Sequence, residues 1–373
     1  MADSNQSNAV GQYGAQPVTP TSEPPDYDGH LCPTCGRSDG DDSNNDSSDD
    51  DDEGENSPPP LLSESYDYRS ANLIRNGIHI LGQTEEVPKP VAPLVAQIYD
   101  PAARESDVTC EAAMEDPDLF VLRTVQVHNY DMMRIFVEKI AHDAGRHFRV
   151  LKCSKQMPIF RRHLPSDPEK AQGKGVSQPL PDLLFGYNHD MIYPRQGFCD
   201  PTRVYDAAAN EDNLILPFLS VEIGEQRSAI GPSRSFYGME NEAGATTAAC
   251  VRMVEHLNTC VDQRPNNDVF DEMRLSPVAF SVVTNGSEAR LFMGWRDLWG
   301  GYSMRYLEGW LLREEKQYVE FQHVFQNILH WASGERWNYI HGVFKWLETG
   351  MSKAAAKRRE EADLGPASKR ARR

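Results

Sequence analysis

Residues 181–187 read P-D-L-L-F-G-Y, and residues 218–224 read F-L-S-V-E-I-G. Each stretch is a short apolar run next to turn-forming residues, a pattern typical of a fully buried strand. We therefore predict buried strands over 180–187 and 218–223. Each strand carries a carboxylate, Asp182 at the mouth of the first and Glu222 inside the second.

The sequence on either side of these strands predicts an α/β domain. Apolar residues at helical spacing indicate amphipathic helices, and Asn285-Gly286 is the dipeptide typical of a type I′ hairpin turn. Residues 66–81 are interpreted as an arm with a turn at Asn76-Gly77 that leads into the domain. The other predicted elements are a helix over 130–144, a strand over 149–153, an Ala-rich helix over 237–257, a hairpin over 278–283 and 289–295, and two C-terminal helices within 318–347. Together they predict a central mixed sheet flanked by helices.

Charge divides the chain into three parts. Residues 1–62 hold 14 acidic residues and one basic residue, and their Ser-, Asp-, Asn-, Gly- and Pro-rich composition predicts a disordered acidic tail. Residues 63–350 are the predicted folded domain, with 39 acidic and 29 basic residues. Residues 351–373 form a basic tail with eight basic and three acidic residues.

The basic tail predicts a location. Its clusters at 357–359 and 369–373 are similar to a bipartite signal for a nuclear-import receptor, and this favours a nuclear protein over a cytoplasmic one. A solvated tail, or one with weak nonspecific contact to nucleic acid, is the alternative.

Composition argues against several other classes. No apolar run approaches the roughly 18 residues of a membrane span, and the N-terminus lacks the features of a signal peptide, so we expect a soluble protein that does not bind membranes. The seven cysteines are widely spread and odd in number, as expected of reduced thiols rather than a disulfide framework. Cys32 and Cys35, with His30, lack the further ligands of a zinc site, although a role in metal binding stays open.

Asp182 and Glu222 are the candidate catalytic residues. An ionised carboxylate on a buried strand needs a partner, and a hard divalent cation is one such partner. Two acids placed in this way suit Mg²⁺, which neutralises a phosphate and lowers the pKa of bound water for attack on a phosphodiester.

The ordered set P181-D182, E222-I223-G224 and the later E-N-E-A-G-A-T-T-A-A-C-V-R-M-V resembles a fungal group of PD-(D/E)XK nuclease-like proteins, over roughly residues 66–347. The resemblance implies a restriction-endonuclease-like core with Mg²⁺ bound by Asp182 and Glu222. It also implies Glu138, on the first helix, as an accessory metal ligand.

Two positions depart from the family pattern. The family places lysine two residues after the second acid, where this chain has Gly224, and commonly glutamine where this chain has Glu242. Arg227, Arg234 and Arg252 lie near enough in sequence to supply a displaced cation, although arginine does not serve as a base.

These departures leave several functions open. The first is a Mg²⁺-dependent nuclease, whose catalysis would be degenerate if nothing takes the place of the lysine that Gly224 replaces. The second is a noncatalytic nuclear accessory protein that binds nucleic acid or a protein, and the third is an accessory protein with an unrelated role. For the residues themselves, the alternatives are that Asp182 caps a turn, that Glu222 faces solvent from an edge strand and that Glu138 is a solvated helix residue.

Overall fold

The computed structural model describes residues 63–101, 115–118, 129–141, 149–165, 175–192, 207–224, 234–262 and 274–347. All of them belong to one compact unit, Ser57–Arg373. The predicted acidic and basic tails, and with them Cys32 and Cys35, lie outside the described residues.

A seven-stranded mixed sheet forms the centre of the domain. The strands are β1 (Ile78–Leu81), β2 (Leu151–Lys155), β3 (Leu183–Asn188), β4 (Leu214–Ile223), β5 (Val278–Thr284), β6 (Glu288–Arg296) and β7 (Tyr302–Leu311). Their order is β1-β7-β6-β5-β4-β3-β2. The pairs β1/β7 and β4/β5 are parallel, and the remaining neighbours are antiparallel. β3 and β4, the strands of the two opening motifs, are therefore direct neighbours.

Helices flank the sheet. They are α1 (Ala92–Ile98), α2 (Asn129–Ile135), α3 (Phe236–Asp262), α4 (Glu315–Trp331) and α5 (337–347). α2 continues into a π-helical turn, Phe136–Ile140, and a second such turn, Ala332–Arg336, joins α4 to α5. Among the described residues, no helix has the length and apolar character needed to cross a membrane.

α3 and α4 cover opposite faces of the sheet. Because successive side chains of a strand point to opposite faces, Ser220 and Glu222 share one face of β4, and Leu219 and Val221 share the other. Glu222 accepts a hydrogen bond from Thr246 of α3, whereas Phe185, paired with Leu219, packs its ring against Phe325 of α4. The central strands are consequently buried on both sides, which explains their near-continuous apolar sequence.

A bulge lets proline enter the central strand β4. The β3/β4 register shifts between Phe185 and Tyr187, and Leu216, just before Pro217, has a φ of 43°. A Cβ at Gly186 would lie 2.9 Å from the carbonyl oxygen of Ile215, so glycine is needed opposite the bulge. The proline therefore occupies an interrupted part of the ladder, where its missing N–H costs no regular hydrogen bond.

Most predicted elements are confirmed, with differences at their ends. β4 begins at Leu214 rather than 218. The sequence did not predict its first residues because Pro217, at the bulge, is not expected inside a central strand. Residues 66–76 form helical turns that end at Gly77 (φ 73°), and β1, which follows them, is part of the sheet. The strand β7 had no counterpart among the predicted elements.

The type I′ assignment of the hairpin turn was wrong, although the β5/β6 hairpin itself is confirmed. A type I′ turn needs positive φ at both central residues, and only Gly286 of the Asn285-Gly286 pair has it, at 85°. The Asn285 side chain instead accepts hydrogen bonds from the backbone N–H groups of Ser287 and Glu288, both at 3.0 Å.

Candidate functional site

Asp182 and Glu222 are brought together at one end of the β3/β4 pair. Leu183 pairs with Val221, so the residue just before β3 lies beside the residues at the end of β4. The Asp182 Oδ2 atom accepts a hydrogen bond from the backbone N–H of Ile223 at 2.7 Å. Both acids are buried, and Glu222 is fully so. Glu222 is thus not a solvent-facing acid on an edge strand, and the backbone group that Asp182 caps belongs to β4 and not to a turn beside Pro181.

Arg234 joins the two acids. Its Nη1 donates to Asp182 Oδ2 at 2.7 Å and to the carbonyl oxygen of Ile223 at 3.1 Å. Its Nη2 donates to Glu222 Oε2 at 3.1 Å and also to Glu242 Oε2. The planar guanidinium, with several donors in a fixed fork, therefore connects three carboxylates and a backbone carbonyl.

Glu242 reaches the cluster from the second turn of α3. Its Oε1 accepts a hydrogen bond from the Ser63 hydroxyl at 2.7 Å. A short N-terminal segment, residues 63–69, which we call the strap, thus contacts the same acid that Arg234 contacts. We refer to Asp182, Glu222, Glu242 and Arg234 as the Arg234 cluster.

The strap is fastened at several points around the cluster. The Glu64 carboxylate accepts hydrogen bonds from the backbone N–H and hydroxyl of Ser235, just before α3, as an acid at a helix N-terminus commonly does. Only glycine at position 238 leaves room for that carboxylate, because a Cβ there would overlap its oxygen atoms. Arg69 pairs with Glu240 at 3.1 Å. The strap therefore orders the start of the helix that carries Glu242.

Burial changes the protonation equilibria of the cluster. Full burial raises the pKa of Glu222 well above its usual value, and the neighbouring Glu242 and Asp182 raise it further, while Arg234 opposes the shift. For Arg234, burial lowers the pKa but the three carboxylates outweigh it, so the pKa of the guanidinium is raised. Arg234 consequently stays charged, and Glu222 takes up a proton more readily than a solvent-exposed glutamate does.

Gly224, the residue at the family's lysine position, is fixed by packing. A Cβ there would lie 2.7 Å from the methyl carbon of Met239 and 3.1 Å from the carbonyl oxygen of Arg234. A lysine at 224 would therefore require both Met239 and the backbone of Arg234 to move. The structure thus argues against restoring the family's lysine by a single substitution at this position.

The donor groups of the Arg234 cluster differ from the Mg²⁺ site that the resemblance implies. Two carboxylates and the Ile223 carbonyl are the hard oxygen ligands that Mg²⁺ prefers, but the guanidinium of Arg234 hydrogen-bonds to all three groups. In the part of the chain described by the structure, no set of three or more His, Cys, Asp or Glu side chains is arranged to hold a metal ion. As arranged, these residues fit a guanidinium and do not fit Mg²⁺.

A cavity of about 350 Å³ opens onto the cluster. It is lined mainly by polar and charged residues, with three apolar ones: Gln156, Ser177, Gln178, Pro179, Leu180, Asp182, Arg234, Glu242 and Ala245. Gln156 has a φ of 47°, a left-handed conformation that is uncommon for a non-glycine residue. Its side-chain amide donates weakly to Asp182 Oδ1, at 3.4 Å.

The other candidate residues lie apart from these contacts. Glu138 is more than half exposed and forms an i,i+4 ion pair with Arg134 at 3.1 Å, so its role as a metal ligand stays a prediction. Arg252 donates to the carbonyl oxygen of Leu164 instead of to the cluster. Arg227 lies outside the described residues. Of the three arginines considered from the sequence, Arg234 is the one that the described structure places at the acids.

Sequence reasoning missed the strap and Gln156. Ser63 and Glu64 are separated from Arg234 by about 170 residues, so their proximity depends on the tertiary fold. Tyr66, Tyr68 and Arg69, three large side chains in the strap, are the signal that distinguishes this segment from the tail before it.

Comparison with protein families gives one finding. Residues 129–344 match the model of a family described as a domain of unknown function (DUF7924). A comparison with curated proteins finds no match. The matched region contains Asp182, Glu222, Arg234 and Glu242, whereas the strap and β1 precede it.

Proposed function

The chain belongs to the DUF7924 family, and on this premise we propose that it is a PD-(D/E)XK-like domain that binds a partner rather than hydrolysing phosphodiesters. The observation that carries the proposal is the position of Arg234. Its guanidinium donates to Asp182 and Glu222, the two acids that the nuclease resemblance assigns to a metal, and to the carbonyl oxygen of Ile223, the residue after Glu222.

Electrostatics support a stable internal cation at this place. Burying two ionised carboxylates without a partner would destabilise the folded state by roughly several kcal/mol. A permanently charged guanidinium offsets that cost without any bound ion. The third carboxylate, Glu242, stands where the related nucleases commonly have glutamine, and it contacts the same guanidinium. The departure from the family pattern at Glu242 is thus accounted for by Arg234, whereas Gly224 is explained mainly by its packing against Met239.

Loss of catalysis follows from the same contacts. Arginine has a pKa too high to act as a general base at neutral pH. Gly224 offers neither a charge nor a donor side chain, and removal of one oriented donor commonly lowers a rate on the order of a hundredfold or more. We therefore infer a noncatalytic accessory role. Its nuclear location and its recognition by an import receptor stay predictions, because they rest on the basic tail outside the described residues.

A Mg²⁺-dependent nuclease is the second candidate, favoured by the oxygen-rich surroundings of Arg234. In that case the guanidinium would have to leave Asp182 and Glu222 to admit an ion. The test is to measure cleavage of single- and double-stranded DNA and RNA by the full chain with Mg²⁺ or Mn²⁺. The same metals are titrated against its melting temperature.

We expect no cleavage and no metal-dependent rise in melting temperature for the wild type. Arg234→Gln should acquire a Mg²⁺-dependent rise, because its carboxylates lose their internal cation, whereas Arg290→Gln, which removes a similarly exposed arginine elsewhere on α3's side of the sheet, should not. Strong metal-dependent cleavage by the wild type, abolished by Asp182→Ala, would overturn the proposal and identify a nuclease.

A further inference from the structure

The cavity beside the Arg234 cluster has the size of a side-chain pocket. Its volume of about 350 Å³ lies at the low end of the roughly 300–1,000 Å³ typical of ligand sites. Leu180 at its edge is 54% exposed, and it lies beside Pro179 in the lining. Leu180 offers apolar surface to a flexible aliphatic chain, while the carboxylate of Asp182, only 5% exposed, lies deeper.

The charge of the lining favours a cation. Three ionisable side chains line the cavity, namely the carboxylates of Asp182 and Glu242 and the guanidinium of Arg234. Arg234 donates to both carboxylates, and two carboxylates against one guanidinium leave the lining with a formal charge of −1. The surrounding domain, with 39 acidic and 29 basic residues over 63–350, adds a negative field of longer range.

An aromatic ladder on the strap is the second observation, independent of the carboxylates. The Tyr66 ring is 84% exposed and stacks on Tyr237, with 6.1 Å between centroids and 11° between planes. Arg69 lies over the Tyr237 ring at 4.2 Å, so the ladder already accommodates one cation. The exposed ring of Tyr66 is available to a second cation, since the face of a phenol ring attracts guanidinium and ammonium groups.

The strap fixes this ladder next to the cavity. Ser63 donates to Glu242, and Tyr68 hydrogen-bonds to Ser177, so the strap contacts the cavity lining on both sides of Tyr66. Resting on the noncatalytic function proposed above, we propose that the cavity binds a lysine or arginine side chain from a basic segment of a partner protein. The aliphatic stem would lie against Leu180, the charged end would face Asp182 and Glu242, and a neighbouring basic residue would stack on Tyr66.

Nucleic acid is the competing partner. Lys155 and Arg161 are exposed near the cavity, adjacent to Gln156 and hydrogen-bonded to Gln178 respectively, and phosphates would engage such residues. The carboxylates of the lining would repel the same phosphates at close range. The two partners therefore make opposite demands on the charged residues, and this difference provides the test.

The experiment measures fluorescence anisotropy of a labelled Lys/Arg-rich peptide with the full chain, in EDTA so that metal binding has no influence. The matched probe is a peptide of equal length with glutamine at every basic position, and a labelled single-stranded oligonucleotide is titrated in parallel. We expect the basic peptide to bind at least about tenfold more tightly than the glutamine peptide, with an affinity that falls as salt is added.

Variants assign the binding to this cavity. Glu242→Gln should weaken the basic peptide roughly fivefold, and Tyr66→Ala roughly threefold. Glu255→Gln, on the same helix and equally exposed but paired with Arg296, should change the affinity less than about twofold. Leu180→Lys places a like charge at the exposed edge and should also weaken binding, which keeps the test valid if Glu242→Gln unfolds.

Three results would overturn the inference. They are equal affinity for the two peptides, equal affinity of the wild type and Leu180→Lys, and oligonucleotide binding that is tighter than peptide binding and weakened by Arg161→Ala. Because no metal is present, failure here leaves the result of the metal titration intact. Conversely, Mg²⁺-dependent cleavage of nucleic acid by the wild type would refute the proposed function, whatever the peptide result.

Discussion

Arg234 and Arg336 are two largely buried arginines whose guanidinium groups have opposite surroundings: the first is paired with acids, and the second is packed among aromatic rings. Arg234 retains 29% of its side-chain exposure and donates to three carboxylates and a backbone carbonyl. Arg336, in the π-helical turn between α4 and α5, is 2% exposed. Among the described residues its three guanidinium nitrogens have no partner at regular hydrogen-bond geometry, and the Tyr187 hydroxyl is the polar group that interacts with them. The rings of Trp331 and Tyr187 lie 5.4 and 6.0 Å from its Cζ atom.

The pKa values of the two arginines are shifted in opposite directions, as their surroundings would predict. Burial lowers the pKa of Arg336, with only the Tyr187 hydroxyl and the Cys250 thiol to oppose it. For Arg234, the carboxylates outweigh burial and raise the pKa. Burial of a charged residue is therefore a poor guide to function by itself. Acids that converge on the charge, together with an adjoining cavity, distinguish the Arg234 cluster as the candidate site.

The largest effect expected from this comparison is that of Arg234→Met. Removing one partner of a buried ion pair typically costs about 3–5 kcal/mol, because the remaining charge stays buried. The loss should lie near the lower end, about 3 kcal/mol, since Glu222 can take up a proton and Asp182 keeps the Ile223 N–H. Urea unfolding monitored by circular dichroism measures the change.

Arg290→Met is the matched control for this measurement. Arg290 is 30% exposed, pairs with Glu240 and Glu288, and lies over the Phe236 ring, but it belongs to no converging set of buried acids. Its removal should cost only about 1 kcal/mol, as for an ion pair near the surface. Equal losses for the two variants would mean that the Arg234 cluster is no more than an ordinary ion pair.

A second prediction concerns pH and Glu222. The pKa of this group is raised above its ordinary value of 4.5 in the folded chain, so between these two values the folded protein holds a proton that the unfolded chain has released. Stability therefore falls as pH rises through this window, by at most about 1.4 kcal/mol per pH unit for one proton. Glu222→Gln keeps the shape but removes the titration.

The free energy of unfolding from pH 5 to pH 8 checks this prediction. The wild type should lose stability with rising pH more steeply than Glu222→Gln, and the variant should gain most relative to the wild type at the upper end of the range. Parallel curves would show that Glu222 is ionised in the folded protein at all these pH values. In that case Arg234 would outweigh burial at this carboxylate.

The sequence predicts those parts of the fold that local pattern determines. The strands around Asp182 and Glu222, the β5/β6 hairpin and the long helix α3 follow from apolar runs and helical spacing. β7 was not predicted because Glu308 and Gly309 interrupt its alternation of apolar and polar residues. β1 was not predicted because its four residues are too few to show a periodic pattern. The two acids of the site were found because each lies on a buried strand.

The sequence indicates three arginines that could supply the cation of the site, but it does not identify which of them does. Arg227, Arg234 and Arg252 all lie within thirty residues of Glu222, and which of them reaches the acids depends on where the chain turns before α3. Ser63 and Glu64 were unpredictable for a related reason, since their contacts with Glu242 and Ser235 join segments more than 170 residues apart. Long-range contacts of polar side chains carry no period that a pattern can detect.

The smallest effect should come from Arg336→Met, and it tests the other half of the comparison. Methionine fills much of the space of the arginine stem and removes a charge whose burial is not offset by any acid among the described residues. The loss of the Trp331 contact, about 1 kcal/mol, opposes this gain. The net change should therefore lie within about 1 kcal/mol of the wild type, on the stabilising side.

Arg336→Ala, which leaves a cavity, should instead cost about 2–4 kcal/mol, so the pair of variants separates the packing of the arginine stem from the effect of its charge. If Arg336→Met costs about 3 kcal/mol, as Arg234→Met is expected to, then Arg336 also has an anionic partner. The two arginines would then be alike in kind, and the contrast between a paired and an unpaired buried charge would no longer single out the Arg234 cluster.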